Sequence, residues 1–221
     1  QHGLDVVVRA MLRPHDAVAV DALSYPGFRM LAELQALDLA PVPACADGPD
    51  LDALERLCRS RPIRAIYTMP TLHNPLGWVL DVAQRQRLVA IARRHDCVLI
   101  EDAAYAWLAD PPPVALATLA PERTFHIASL SKSLASGLRF GYVVVPADCV
   151  VRVKAVIRAS HWSLPSLVTA MATRWIADGT VAQQEAALRH DARQRQAIAA
   201  DVFAGLDLRA HPASPFLWLR L

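Results

Sequence analysis

The chain reads as an α/β protein with a mainly parallel sheet flanked by helices. Two observations predict this. Short continuous apolar runs such as Cys97-Val98-Leu99-Ile100 alternate with segments of helical period, as in strands that are buried on both faces and joined by helices. Polar residues with chemical potential then stand directly after several of these runs, at the carboxyl ends of strands, where open parallel sheets bind ligands.

The elements follow in order. Leu4 to Leu12 is apolar at helical spacing and ends near Arg13-Pro14, since proline cannot continue a helix. Ala17-Val18-Ala19-Val20 is a short buried strand, and Ser24-Tyr25-Pro26-Gly27 is a turn. Phe28 to Leu37 is helical. Leu39 to Ala44 contains proline, which points to a peripheral strand. After the loop Asp47-Gly48-Pro49-Asp50, Leu51 to Arg59 is a helix with Leu51, Leu54 and Leu57 on one face. Ile63 to Thr68 is a strand that leads into the turn-rich loop Pro70 to Gly77. Asp81 caps an amphipathic helix that runs to about His95. Cys97 to Ile100 is a strand ending in Glu101-Asp102. Thr124 to Ala128 and Phe140 to Val145 read as buried strands on either side of a lysine-bearing turn.

Beyond Val145-Pro146 the pattern changes. Asp148 to Ala159, Leu164 to Asp178 and Val181 to about Ala204 are helical, and the last is long, charged and rich in alanine. Leu206 to Arg209 and Phe216 to Leu221 read as strands of a second, smaller unit. Residues 1–180 are therefore expected to form a large domain, with 181–221 supplying an interdomain helix and the start of a small C-terminal α+β domain. The charges along the helix that opens this second unit read as a solvated face.

A chain of 221 residues, 54% hydrophobic, can bury one large core or two modest ones. Its net charge of +2 gives no case for nucleic-acid binding. Cys45, Cys58, Cys97 and Cys149 are scattered without metal-ligand spacing, which points to reduced thiols in a cytoplasmic protein. No signal peptide and no membrane-spanning run is evident. Gln1-His2-Gly3 opens in mid-pattern and Phe216 to Leu221 stops within a strand pattern, so the chain is expected to be a piece of a longer protein.

The chemistry centres on Ser129-Leu130-Ser131-Lys132-Ser133-Leu134-Ala135-Ser136-Gly137-Leu138-Arg139. A lysine at the mouth of a sheet is costly unless it has a task. A desolvated amine near other cations becomes nucleophilic and can form a Schiff base with an aldehyde. Ser129, Ser131 and Arg139 offer hydroxyl donors and a forked cation to a phosphate. An aldehyde together with a phosphate describes pyridoxal 5′-phosphate. Asp102 at a strand end suits a pyridinium nitrogen, which would make the cofactor an electron sink. Tyr105 and Asn74 could reach the ring oxygen, and Tyr25 could stack on the ring. Each residue alone has an ordinary reading: a surface lysine, a helix cap, a turn asparagine, or aromatics packed in loops.

The ordered set is more specific than its members. An aromatic after a strand, Asn74-Pro75-x-Gly77, Asp102-x-x-Tyr105, Ser129-x-Ser131-Lys132 and Gly137-Leu138-Arg139-x-Gly141-Tyr142 resembles the fold-type I pyridoxal-phosphate enzymes of the class I/II aminotransferase family, over the length of the chain. The resemblance implies the aminotransferase fold. It also implies Lys132 as the Schiff-base lysine, with Asp102 and Tyr105 as its catalytic companions. Tyr25, Asn74, Ser129, Ser131 and Arg139 would complete the cofactor site. Gln1-His2 looks like the tail of the family's phosphate-binding loop.

Thr71 to Gly77, Pro121 to Phe125, Ser129 to Leu134, Thr173 to Gly179 and Phe216 to Leu219 also look like the aminotransferase-like domain of MocR-type GntR regulators. Two departures stand out. Ser136 replaces the family's usual proline, and Ala103-Ala104 leaves the surroundings of Asp102 less polar than usual. The resemblance places the family's arginine for the substrate carboxylate beyond Leu221, and Arg220 is not a match for it. The resemblance implies a homodimeric transaminase acting on an amino acid and a 2-oxo acid. The alternative is a regulatory domain that senses the cofactor or an amino compound, with DNA bound by a domain not present in this sequence.

Overall fold

The computed structural model describes residues 1–220. Its central sheet is built from β1 (Ala17–Asp21), β2 (Asp38–Val42), β3 (Ala65–Thr68), β4 (Val98–Asp102), β5 (Thr124–Ser129) and β6 (Gly141–Val144). The spatial order is β2-β1-β3-β4-β5-β6. The first five strands are mutually parallel, and β6 runs antiparallel to β5. From β1 the chain goes outward to β2, then returns and builds the other side from β3 onward. The sheet's topological switch point therefore lies between the carboxyl ends of β1 and β3.

The continuous apolar strands are explained by two cores, one on each face. On one face, Ala17, Ala19, Ile66 and Leu99 meet Leu51, Leu54, Leu88 and Ile91 from α3 (Leu51–Ser60) and α4 (Val82–Arg94). On the other, Val18, Val20, Tyr67, Ile100, Phe125 and Ile127 meet Leu4, Val7 and Val8 of α1 (His2–Met11), Phe28 and Leu31 of α2 (Pro26–Leu34), and Val153 of α6 (Val150–His161). Successive strand residues point to opposite faces, so a strand covered on both sides has no polar phase.

Local signals set the helix starts. Asp81 and Gln84 form a capping box at α4: Asp81 Oδ1 accepts from the Gln84 amide at 2.7 Å, and Gln84 Oε1 accepts from the Asp81 amide at 2.9 Å. Asp50 Oδ1 caps α3 through the Ala53 amide at 2.8 Å. The short helix α5 (Leu116–Leu119) is capped from a distance: Glu101 accepts the Leu116 and Ala117 amides at 3.0 and 3.1 Å. Residues 166–177 form α7 and 180–202 form α8, separated by Gly179 at φ 84°, a left-handed backbone that glycine adopts without strain. β7 (Asp207–Ala210) and β8 (Leu217–Arg220) make a separate antiparallel pair. The expected last strand ended at Leu221, which lies outside the described residues.

Several elements differ from expectation. α2 starts at Pro26, because proline suits the first helical position, and stops at Leu34. β3 starts at Ala65, two residues late. β6 is not a buried strand: Tyr142 and Val144 are 49% and 52% exposed. It ends the sheet, so an apolar run that looks internal has a strand neighbour on one side only. Among the described residues no helix is long and apolar enough to cross a membrane, and no His/Cys/Asp/Glu group could hold a metal.

Arg85 is buried, and it ties the loop after β3 to α4. Its guanidinium donates to the carbonyls of Leu80 (2.9 Å), Val114 (3.1 Å) and Pro70 (2.7 Å) and to Thr71 Oγ1 (2.8 Å), with Glu101 at 3.9 Å. Arg85→Leu would strand these acceptors and leave the Glu101 charge without its buried cation. We expect the unfolding free energy to fall by about 3–5 kcal/mol in urea titrations. A loss below about 1 kcal/mol would mean that the loop is held by other contacts.

Candidate active site

β4 delivers Asp102 to the carboxyl edge of the sheet, where it is only 6% exposed. Its Oδ2 accepts from the Tyr67 hydroxyl at 2.9 Å, and its Oδ1 accepts from the Ala104 amide at 3.1 Å. Burial pushes the carboxyl above its ordinary pKa, and the two hydrogen bonds pull the other way. An ionised carboxylate has room for about four hydrogen bonds, so two leave space for a charged N–H donor. Tyr67 is fully buried, and its phenol is pushed well above the usual range, first by burial and then by the Asp102 charge. Its ring stacks on Phe28 at 3.8 Å with the planes 2° apart, which fixes the hydroxyl's direction.

Tyr67 is not among the site residues expected from the sequence. The signal was available: a phenol inside a continuous apolar strand requires an acceptor, and the next strand ends in a carboxylate. The identity of the partner depends on strand order, which the chain does not spell out locally.

Tyr105 follows Asp102 by three residues and stays beside it. Burial raises its phenol pKa, and the Asp102 charge adds to the effect. Its ring meets Phe216 edge-on at 5.3 Å and 79°, and Lys132 Nζ stands 5.9 Å from its centroid, within cation–π range. Asp102 and Tyr105 at the end of β4 thus share one mouth with Lys132 from the connection after β5. The first turn of α1 packs against β5 and β6, the strands on either side of the Lys132 turn: a Cβ at Gly3 would meet Ile127 and Val143 at 3.0 and 3.3 Å.

Lys132 is exposed, contrary to the desolvation expected at a sheet mouth. It sits in the turn after β5. Ser129 ends β5 opposite Gly141, and Ser129 and Ser131 are half-buried. Arg139 is exposed, has a left-handed backbone at φ 51°, and donates to the Ser136 carbonyl at 3.3 Å. The hydroxyls and the guanidinium lie on the same β5–β6 connection as Lys132.

Tyr25 precedes α2, and its ring lies across Gly27: a Cβ at Gly27 would come within 2.4 Å of it. The ring is half-buried and near enough to Tyr67 to add to the shift of its phenol. Asn74 is half-buried in the loop after β3. Among the described residues no hydrogen bond joins it to Asp102 or Tyr105. The structure brings Tyr25, Asp102, Tyr105 and Lys132 toward one edge and leaves Asn74 linked to them only through its loop.

This geometry can be set beside known proteins. The profile of aminotransferase class I and II matches residues 1–220. The chain is 36% identical over 146 residues to an uncharacterized HTH-type transcriptional regulator, YdeF, of Bacillus subtilis, covering 66% of the chain and 32% of that protein. It is 30% identical over 173 residues to the 2-aminoadipate transaminase of Thermus thermophilus, covering 76% of the chain and 44% of that protein. The crystal structure of LysN, the α-aminoadipate aminotransferase of Thermus thermophilus complexed with N-(5′-phosphopyridoxyl)-L-leucine, superposes with a TM-score of 0.88 at 26% identity, covering 99% of the chain and 59% of that structure. The chain thus spans less than half the length of these two curated relatives. With the profile matched from end to end and the fold reproduced, the chain belongs to the class I and II aminotransferase family.

Proposed function

We propose that the chain holds pyridoxal 5′-phosphate and serves a transaminase that moves an amino group between an amino acid and a 2-oxo acid. The observation that carries this reading is Asp102: a buried carboxylate, held by Tyr67 and the Ala104 amide, with capacity left for one cationic N–H. The donor set around it fits the group, with an amine for an aldehyde, hydroxyls and a guanidinium for a phosphate, and phenols for a ring. When bound, pyridoxal phosphate supplies an electron sink for the charge left when an α-proton is removed.

The chain's own residues would then act as follows. Asp102 holds a proton on the ring nitrogen by pairing with it, and this pairing offsets the cost of burying the carboxylate. Lys132 Nζ moves the substrate's α-proton, a task that requires a free amine. Tyr105 and Asn74 orient the ring by donating to its oxygen. Tyr25 stacks on the ring face. Ser129, Ser131, Arg139 and the start of α1 bind the phosphate.

A homodimer belongs to the same proposal. The exposure of Lys132 and of apolar residues such as Trp162 and Leu167, 74% and 70% exposed, supports a second copy packed against the chain. Residues 1–180 would be the large domain, and 181–221 the link to a smaller one, as the separate β7–β8 pair suggests. Four free cysteines support a reducing, cytoplasmic setting. The likeness to YdeF favours a second reading, in which the same site senses the cofactor or an amino compound for a regulator that binds DNA through a domain outside these residues.

Adding pyridoxal phosphate is expected to produce a visible absorbance band. Borohydride should then fix the cofactor to the peptide carrying Lys132, as read by mass spectrometry, and Lys132→Ala should abolish the label. A label elsewhere, or none at saturation, contradicts the proposal. Amino-acid titration separates the two readings: turnover to a 2-oxo acid indicates the enzyme, and binding without product the sensor.

The sign of the Asp102 shift yields a further test. Its folded pKa lies above the unfolded one, so the folded chain binds more protons between the two values and stability falls as pH rises through that window. Asp102→Asn should therefore raise the melting temperature of the cofactor-free chain at pH 7 while removing cofactor affinity. A lowered melting temperature would show that the carboxylate is not a burden to the fold.

A further inference from the structure

The switch point between β1 and β3 holds a buried pair that the proposed chemistry does not use. Asp21 closes β1 and is 4% exposed. His73, in the loop after β3, is fully buried. His73 Nε2 stands 3.2 Å from Asp21 Oδ2, and Thr68 Oγ1 donates to the same oxygen at 3.4 Å. The Leu76 amide donates to His73 Nδ1 at 3.3 Å. With Nδ1 accepting, the hydrogen of the neutral ring sits on Nε2, the nitrogen next to the carboxylate. The contact lies outside hydrogen-bond geometry, so the two groups meet as a close polar pair and Nε2 has no hydrogen-bond partner among the described residues.

His73 is the hub of its loop. Its amide donates to the Trp78 carbonyl at 3.0 Å, its carbonyl accepts from the Gly77 amide at 2.6 Å, and its ring stacks on Trp78 at 3.9 Å. The loop also carries strain. Leu72, fully buried, has φ 54°, a left-handed value that a branched side chain adopts only where the surroundings over-determine it. Asn74 is the next residue after this hub.

We propose that Asp21 and His73 form a positioning pair. By joining the loops after β1 and β3, they hold the Leu72–Gly77 segment in one shape and aim the Asn74 amide at the cofactor's ring oxygen. This rests on the pyridoxal-phosphate reading above. Asp21 and His73 do not touch the cofactor and act through Asn74.

The test uses His73→Leu, Asp21→Asn and His73→Gln, each alone and with Asn74→Ala. Amide hydrogen exchange of the cofactor-free chain reads the loop directly. In His73→Leu, exchange of the Leu76 and Gly77 amides should rise about ten-fold or more while β4 and β5 keep their protection. Titration with pyridoxal phosphate reads the consequence. His73→Leu and Asn74→Ala should each weaken binding about ten-fold, and the double variant should be no weaker than either one, because the pair acts through Asn74. His73→Gln, whose amide can donate to Asp21, should stay within about three-fold of the parent. If His73→Leu does not fold, Asp21→Asn decides by the same two readouts. Loop amides that stay protected, or losses that multiply in the double variant, overturn the proposal. If the parent chain binds no cofactor, the cofactor reading fails, and the exchange data still decide whether the pair holds the loop.

Discussion

Burying Asp102 at the carboxyl end of β4 is the constraint around which the rest of the mouth is arranged. An ionised carboxylate at 6% exposure is destabilising unless donors reach it. The chain supplies a phenol from β3 and an amide from the residue two positions on, at 2.9 and 3.1 Å. Two hydrogen bonds do not saturate the group. The remaining capacity, in a setting where burial still raises the carboxyl's pKa, is what a protonated ring nitrogen would complete. Placing Tyr67 at this depth requires Phe28 beneath its ring, and Phe28 requires α2 against the sheet. The site's electrostatics thus rest on the packing of one core.

The parallel sheet explains why residues distant in sequence meet. β1, β3, β4 and β5 all end at the same edge, so the Tyr25, Asn74, Asp102 and Lys132 loops emerge together. Order within that edge comes from buried polar ties. Arg85 anchors the loop after β3 to α4, Glu101 caps α5 and accepts from His126 at 2.8 Å, and Asp21 meets His73 across the switch point. Glu101 and Asp102 are consecutive but serve opposite faces of the sheet. One holds a helix. The other is left with capacity for a ligand.

The sequence was most legible where the information is local. Apolar runs marked β1, β4 and β5 because strands covered on both faces have no polar phase. The Asp81 cap and the Gly179 break were readable because each acts within one turn. Asp102 and Tyr105 stand together because only three residues separate them. What escaped depends on neighbours in space. Tyr67 and the Asp21–His73 pair each span two strands, so their partners follow from strand order. Phe140 to Val145 was read as buried because an edge strand can carry the same apolar composition as an inner one. Lys132 was expected to be desolvated because its place after β5 was inferred correctly but the cover over that place was not. A strand-end position fixes where a side chain emerges and says nothing about what encloses it.

The most direct test of the central claim is nitrogen-15 NMR of the bound cofactor labelled at its ring nitrogen. The nitrogen is expected to be protonated in the parent chain at pH 8. It should shift toward the unprotonated form in Tyr67→Phe, where the carboxylate loses one of its two donors and is itself more readily protonated. A nitrogen that is unprotonated in the parent, or protonated equally in a chain carrying Asp102→Asn, would contradict the assignment of Asp102 as the group on which the site depends.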